Sequence, residues 1–146
     1  MLAPVLLPLF MFAHALFHTG NPVAEWSVVH TSKHSCTVHL DLVGGAHDVD
    51  VAKLSLIAPS HLRGLAVSSH ASAAPSDQWK RNNTWNWMWN DAVPPMTLDF
   101  ELTWESCERG TTPYVDLAWE QVASTARQSW NLGSVILSDL PSPVPF

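Results

Sequence analysis

The chain has 146 residues, of which 47% are hydrophobic and only 14% charged, enough apolar material for one core and too much for a disordered chain. Its formal net charge is -6, and its seven Lys and Arg are scattered without forming a basic stripe. That balance argues against nucleic-acid binding and against attachment to an anionic membrane by charge.

The N-terminal stretch "MLAPVLLPLFMFAHALFHTGNP" opens with an apolar run from Met1 to Ala13, and Ala13-His14-Ala15 fits a small-x-small cleavage site. We therefore expect a signal peptide over residues 1–15, export, and a mature start near Leu16. No Lys or Arg precedes the run, and Pro4 and Pro8 interrupt its helix. It is shorter than the roughly 20 residues of a membrane span, so no transmembrane segment is expected in the mature chain. No Cys stands at the cleavage point to carry a lipid anchor. Export would let Cys36 and Cys107 form a disulfide; two separate thiols are the alternative.

Residues 16–140 read as one β-domain, because apolar residues recur with period two and rarely with helical period. In "EWSVVH", Trp26, Val28 and His30 share a face. After "TSKHS", "CTVHLDLV" puts Val38, Leu40 and Leu42 on one side and Thr37, His39 and Asp41 on the other. "GGAHD" is a turn. "VDVAKLSLIAP" follows, with Ala52, Leu54 and Leu56 inward, and a short strand is expected around Leu65 to Ser68. "APSDQ" reads as loop and Asn82-Asn83 as a turn.

"TWNWMWN" then places Trp85, Trp87 and Trp89 at alternate positions. "MTLDFELTW" alternates most cleanly, with Leu98, Phe100, Leu102 and Trp104 on one face. The two segments are expected to pair as a hairpin around "DAVPP" with their apolar faces inward. Thr84, Asn86, Met88 and Asn90 would then face solvent. The opposite arrangement, a tryptophan platform, would bury two asparagines without partners, which costs free energy. Trp79 and the terminal Trp89 are left as the tryptophans placed to reach a surface.

"YVDLAWEQV" alternates through Val115, Leu117 and Trp119, and "NLGSVILSDL" is a last strand. The one stretch with helical composition is "AWEQVASTARQSW", Ala118 to Trp130, where Val122 and Ala126 make only a narrow stripe. "PSPVPF", residues 141–146, is a proline-rich tail. Seven or eight short strands with regular turns point to an antiparallel β-sandwich or barrel, and the sandwich is the expected fold.

The chemistry-bearing residues are sparse. His30, His34, His39 and His47 cluster around the first turn, and His30, His34 and His39 form the candidate ligand set of a periplasmic metal-binding protein, with solvated histidines as the bland alternative. No nucleophile-elbow, zinc-protease, phosphate-loop or dinucleotide motif is present, so neither an enzyme nor a cofactor is expected. Asp99 and Glu101 share a strand face and read as solvating charges. Cys107 lies beside Glu105 and Glu108, a setting that disfavours a reactive thiolate. "NNT" at Asn82 is a glycosylation sequon.

The order of features from Thr37 to Trp104 resembles a cohesin-like, immunoglobulin-type cell-envelope domain of Bacteroidetes. The resemblance lies in "CTVHLDLV", in "VAKLSLIAPSHLRGL" with its lysine and following proline, and in "SSHASAAP", "NTWNWMWN" and "MTLDFELTW". It implies a sandwich that binds proteins or glycans and carries over no catalytic residue. The expectation is therefore an exported, non-catalytic interaction module or accessory subunit of a cell-envelope assembly. It would lie in the periplasm, at the outer membrane or outside the cell. It would bind a protein partner through a sheet face or edge, with Trp79, Trp26 and Trp89 as candidate contacts. The alternatives are a carbohydrate-binding module with a tryptophan platform and the metal-binding protein.

Overall fold

Eleven β-strands and no helix form among the described residues of the computed structural model, which are 21–45, 49–90, 94–123 and 126–138. The expected signal segment, the proline-rich tail and His47 lie outside those residues. The strands are β1 (Pro22–Ser32), β2 (Ser35–Gly44), β3 (Val51–Ile57), β4 (Leu62–Arg63), β5 (Ala66–Ala71), β6 (Asp77–Arg81), β7 (Thr84–Asn90), β8 (Met96–Thr103), β9 (Ser106–Cys107), β10 (Tyr114–Ala123) and β11 (Ala126–Ile136). A four-stranded sheet has the order β1-β2-β8-β5, and a five-stranded sheet the order β11-β10-β3-β7-β6. Every pairing within them is antiparallel. The short β4 and β9 pair separately. Of the antiparallel architectures that the alternation implies this is the sandwich, with nine strands in its two main sheets.

Alternation sets which side chains meet. On the smaller sheet, Val38 stands opposite Phe100, Leu40 opposite Leu98 and Leu42 opposite Met96. Three rows cross the inner face of the larger sheet: Trp85-Leu56-Leu117, Trp87-Leu54-Trp119 and Trp89-Ala52-Gln121. The small side chain of Ala52 leaves room for the rings of Trp89 and Trp119 to approach across β3, with centroids 6.0 Å apart. Trp87 meets Phe100 from the opposite sheet at 5.1 Å and a tilted 52°. That tilted geometry suits the opposed faces and edges of two aromatic quadrupoles.

The expected hairpin of β7 with β8 is not formed. β7 pairs with β3 and β6, whereas β8 pairs with β2 and β5 in the other sheet. Their apolar faces do coincide, as expected, but by facing each other across the sandwich. Period two reports which face is buried and is silent on whether the covering strand lies beside or opposite.

One alternative is decided and one expectation fails. The stretch with helical composition is the hairpin of β10 and β11, because Trp119 and Gln121 pair into the ladder with β3. Asn86 faces outward yet is only 6% exposed, with Trp79 and Ser55 as its ladder neighbours. The Ser55 hydroxyl donates to Asn86 Oδ1 at 2.8 Å, which satisfies the polar group that burial would otherwise penalise.

Candidate functional site

A two-sheet sandwich has two open sides where its edge strands approach, and here they differ. On the β1–β11 side the chain closes the gap itself. Trp26 of β1 lies against Gly133 of β11, and a Cβ added to Gly133 would sit 3.0 Å from the Trp26 ring. Gly133 also holds a φ of 112°, which other residues adopt only with strain. The Trp130 indole donates to Asn21 Oδ1 at 3.3 Å, and His30 Nε2 donates to the Leu137 carbonyl at 2.6 Å.

The β5–β6 side remains open, for a reason legible in its side chains. The inward residues of edge strand β5 are the small Val67, Ser69 and Ala71. The residues of edge strand β6 on the core-facing side are Gln78 and Lys80, opposite Trp87 and Trp85. Neither set can bring the sheets together. A groove of about 370 Å³ remains, lined by Val67, Ser69, Gln78, Lys80, Trp85 and Trp87 among others. Lys80 Nζ stands 4.7 Å from the centre of the Trp85 ring, a cation–π contact that holds the ammonium at the mouth. Trp79 also lines the groove, is 38% exposed, and lines a second hollow on the outer face with Lys53, Arg81 and the Asn82-Asn83 turn. All five residues of β6 are exposed. Being an edge strand, it turns alternate backbone N–H and C=O groups away from its sheet.

The sequence-derived candidates scatter over this framework. Trp79 lies on the open side. Trp26 is half-buried on the closed side. Trp89 is 1% exposed and its indole donates to the Ala73 carbonyl at 2.8 Å, so it offers no surface. With Trp87 at 4% and Trp85 half-buried, the segment forms no platform. The sequon residue Asn82 is exposed in the β6–β7 turn with a φ of 55°.

The three histidines do not converge. His30 faces inward, opposite Cys36. His34 sits in the β1–β2 turn, 6.0 Å from the Trp104 ring. His39 lies on the outer face, where Nδ1 contacts Asp99 at 2.7 Å and Nε2 contacts Asp41 at 3.2 Å. The metal-binding alternative is corrected accordingly: among the described residues no group of three His, Cys, Asp or Glu is placed to hold an ion. The Asp99 hydrogen bond holds the His39 pKa above the ordinary imidazole value against the opposing effect of desolvation, with smaller raising contributions from the Asp41 and Asp99 charges and the Asp41 hydrogen bond. Asp99 is thus engaged with His39, and Glu101 stands between Thr37 and Ser68.

The disulfide is also absent, since Cys36 and Cys107 are both free. Cys36 pairs with Leu102 in the core-facing ladder, and Cys107 with Leu62 in the small sheet. Burial pushes the Cys36 thiol up to about 11, which makes it inert at neutral pH.

Sequence reasoning missed β6 and, with it, Lys80, Arg81 and Gln78. "DQWKR" has no apolar row, because both faces of this strand are exposed. The available signal was the short span between "APSDQ" and the Asn82-Asn83 turn, bounded by loop and turn residues on both sides.

No family profile matches the sequence, and no curated protein matches it. Solved structures of similar shape include the GAE domain of yeast GGA1, at 8% identity over 80% of this chain and 91% of that one, with a TM-score of 0.45. The GAE domain of GGA2p from Saccharomyces cerevisiae is similar at 9% identity over 82% and 92%, with a TM-score of 0.45. The collagen-binding domain of a Staphylococcus aureus adhesin is similar at 6% identity over 77% and 92%, with a TM-score of 0.41.

Proposed function

We propose that this chain is an exported, non-catalytic interaction module, an accessory subunit of a cell-envelope assembly, and that it docks a protein partner through the β5–β6 side. The observation that carries the reading is the contrast between the two sides. The β1–β11 side is closed by Trp26, Trp130 and His30, whereas the other presents an exposed Trp79 beside an open groove and a fully exposed edge strand. An exposed aromatic next to a hollow is the kind of anchor that dominates binding energy at interfaces. A free strand edge adds main-chain hydrogen bonds to it. The apolar leader supports export.

The test compares the tagged full chain with its Trp79→Ala form in native cells, after chemical cross-linking. A partner should be recovered in near-equal amount with the native form and lost with the variant. Recovery of the chain alone, or equal recovery of the partner by both forms, overturns the reading.

A further inference from the structure

The charges around Trp79 run against those of the chain. The chain carries 13 Asp and Glu against seven Lys and Arg. Yet Lys80 lines the groove, Lys53 and Arg81 line the outer hollow, and no carboxylate lines either. Lys53 is partly neutralised by Glu120 at 3.6 Å, and Glu120 is shared with Arg127 at 3.5 Å. Lys80 and Arg81 form no ion pair with any described residue. The one acid on β6, Asp77, accepts a hydrogen bond from the Gln78 N–H at 2.8 Å and lies at the far end of the strand, roughly 13 Å from Arg81 at strand spacing. An unopposed pair of cations therefore sits at the turn end of a free edge, with Trp79 and the apolar groove further along it.

We infer that β6 receives an extended, acidic segment of a protein partner as an added strand of the larger sheet. The segment would carry carboxylates opposite Lys80 and Arg81 and apolar side chains opposite Gln78 and Trp79. The inference rests on the reading of the β5–β6 side as the docking side. Consecutive residues of a strand point to opposite faces. Lys80 therefore faces the groove and Arg81 the outer face, and two adjacent acids on the incoming segment would meet one cation each. The next two positions toward Asp77 would place one side chain on Trp79 and the other in the groove at the level of Gln78 and Trp87. The free edge selects a polypeptide over a polysaccharide, because only a backbone with alternating donors and acceptors can continue the ladder. The cations select its charge.

Selection of random peptides of about a dozen residues by display against the full chain tests this directly. The recovered peptides should carry adjacent Asp or Glu next to apolar residues. They should bind the Lys80→Glu, Arg81→Glu double variant about tenfold more weakly or worse and lose affinity as salt rises. The Lys80→Arg, Arg81→Lys variant should retain them. The substituted side chains are exposed, and an unchanged circular-dichroism melt establishes that each variant is folded. Peptides without acidic residues that are lost on Trp79→Ala would overturn the acidic class and leave the docking side standing. Peptides insensitive to all these changes would overturn both. Binding of polygalacturonate with no peptide recovered would overturn the added strand in favour of an anionic glycan.

Discussion

Replacing Trp87 and Trp79 in parallel separates a core tryptophan from an edge one. Trp87 is 4% exposed, pairs with Leu54, and meets Phe100 across the sandwich at 5.1 Å. Its truncation to alanine removes one of the main contacts between the sheets and leaves a cavity, at a cost of about 3–5 kcal/mol. Domains of this kind are stable by roughly 5–15 kcal/mol in all, so much of the stability goes. Trp79 is 38% exposed on a strand with one neighbour, and its truncation should cost less than about 1 kcal/mol. Trp87→Phe keeps an aromatic ring opposite Phe100 and should cost roughly 1–2 kcal/mol, which supplies a measurable form if Trp87→Ala does not fold. Urea unfolding followed by far-ultraviolet circular dichroism reads all three without relying on indole fluorescence. With a slope of about 2 kcal/mol per molar urea, the Trp87→Ala midpoint should fall by roughly 2 M and that of Trp79→Ala by no more than about 0.5 M. Comparable shifts for the two alanine variants would refute the division into a core row and an open side.

Three further outcomes follow from the same geometry. Gly133→Ala should destabilise by about 1–3 kcal/mol, since it combines a left-handed φ of 112° with a contact on Trp26, and a melt unchanged from the native form would contradict the closed side. Iodoacetamide at mildly alkaline pH should add one label to the native chain, on half-buried Cys107, and two in denaturant without reductant; failure to label in denaturant would reveal a bridge. His39 should titrate above the ordinary imidazole value of 6.5 by nuclear magnetic resonance, and Asp99→Asn should bring it down. Because the folded pKa is raised, the stabilisation is complete below about 6.5 and is lost as pH rises through the raised value, so Asp99→Asn should destabilise at acid pH more than at alkaline pH.

Much of the fold is legible in the sequence wherever one face of a strand is buried. "MTLDFELTW" and "YVDLAWEQV" alternate because β8 and β10 bury one row and turn the other outward, and they form as expected. Sheet membership is not legible in the same way. Trp87 has Leu54 beside it and Phe100 opposite, and both contacts select the same apolar residue, so alternation alone misassigned the partner. Asn86 was misread because polarity stands for exposure only while nothing covers it, and here it lies in the ladder between Trp79 and Ser55. The candidate site was the least legible part. Its strand has no buried row, its cations are two ordinary residues before a turn, and its groove arises because the small residues of β5, the preceding strand, face β6 from the edge of the other sheet, which alternation does not report. Trp79 alone was visible beforehand, as a tryptophan outside every alternating row.

Hydrogen–deuterium exchange of the chain, alone and with its recovered partner or selected peptide, tests the central claim most directly. Protection should appear at Asp77–Arg81, where an added strand would take up the outward N–H groups, and at the groove-lining Val67 and Ser69, with β1 and β11 unchanged. Protection confined to β1 and β11, or none at β6, would contradict docking on the open side.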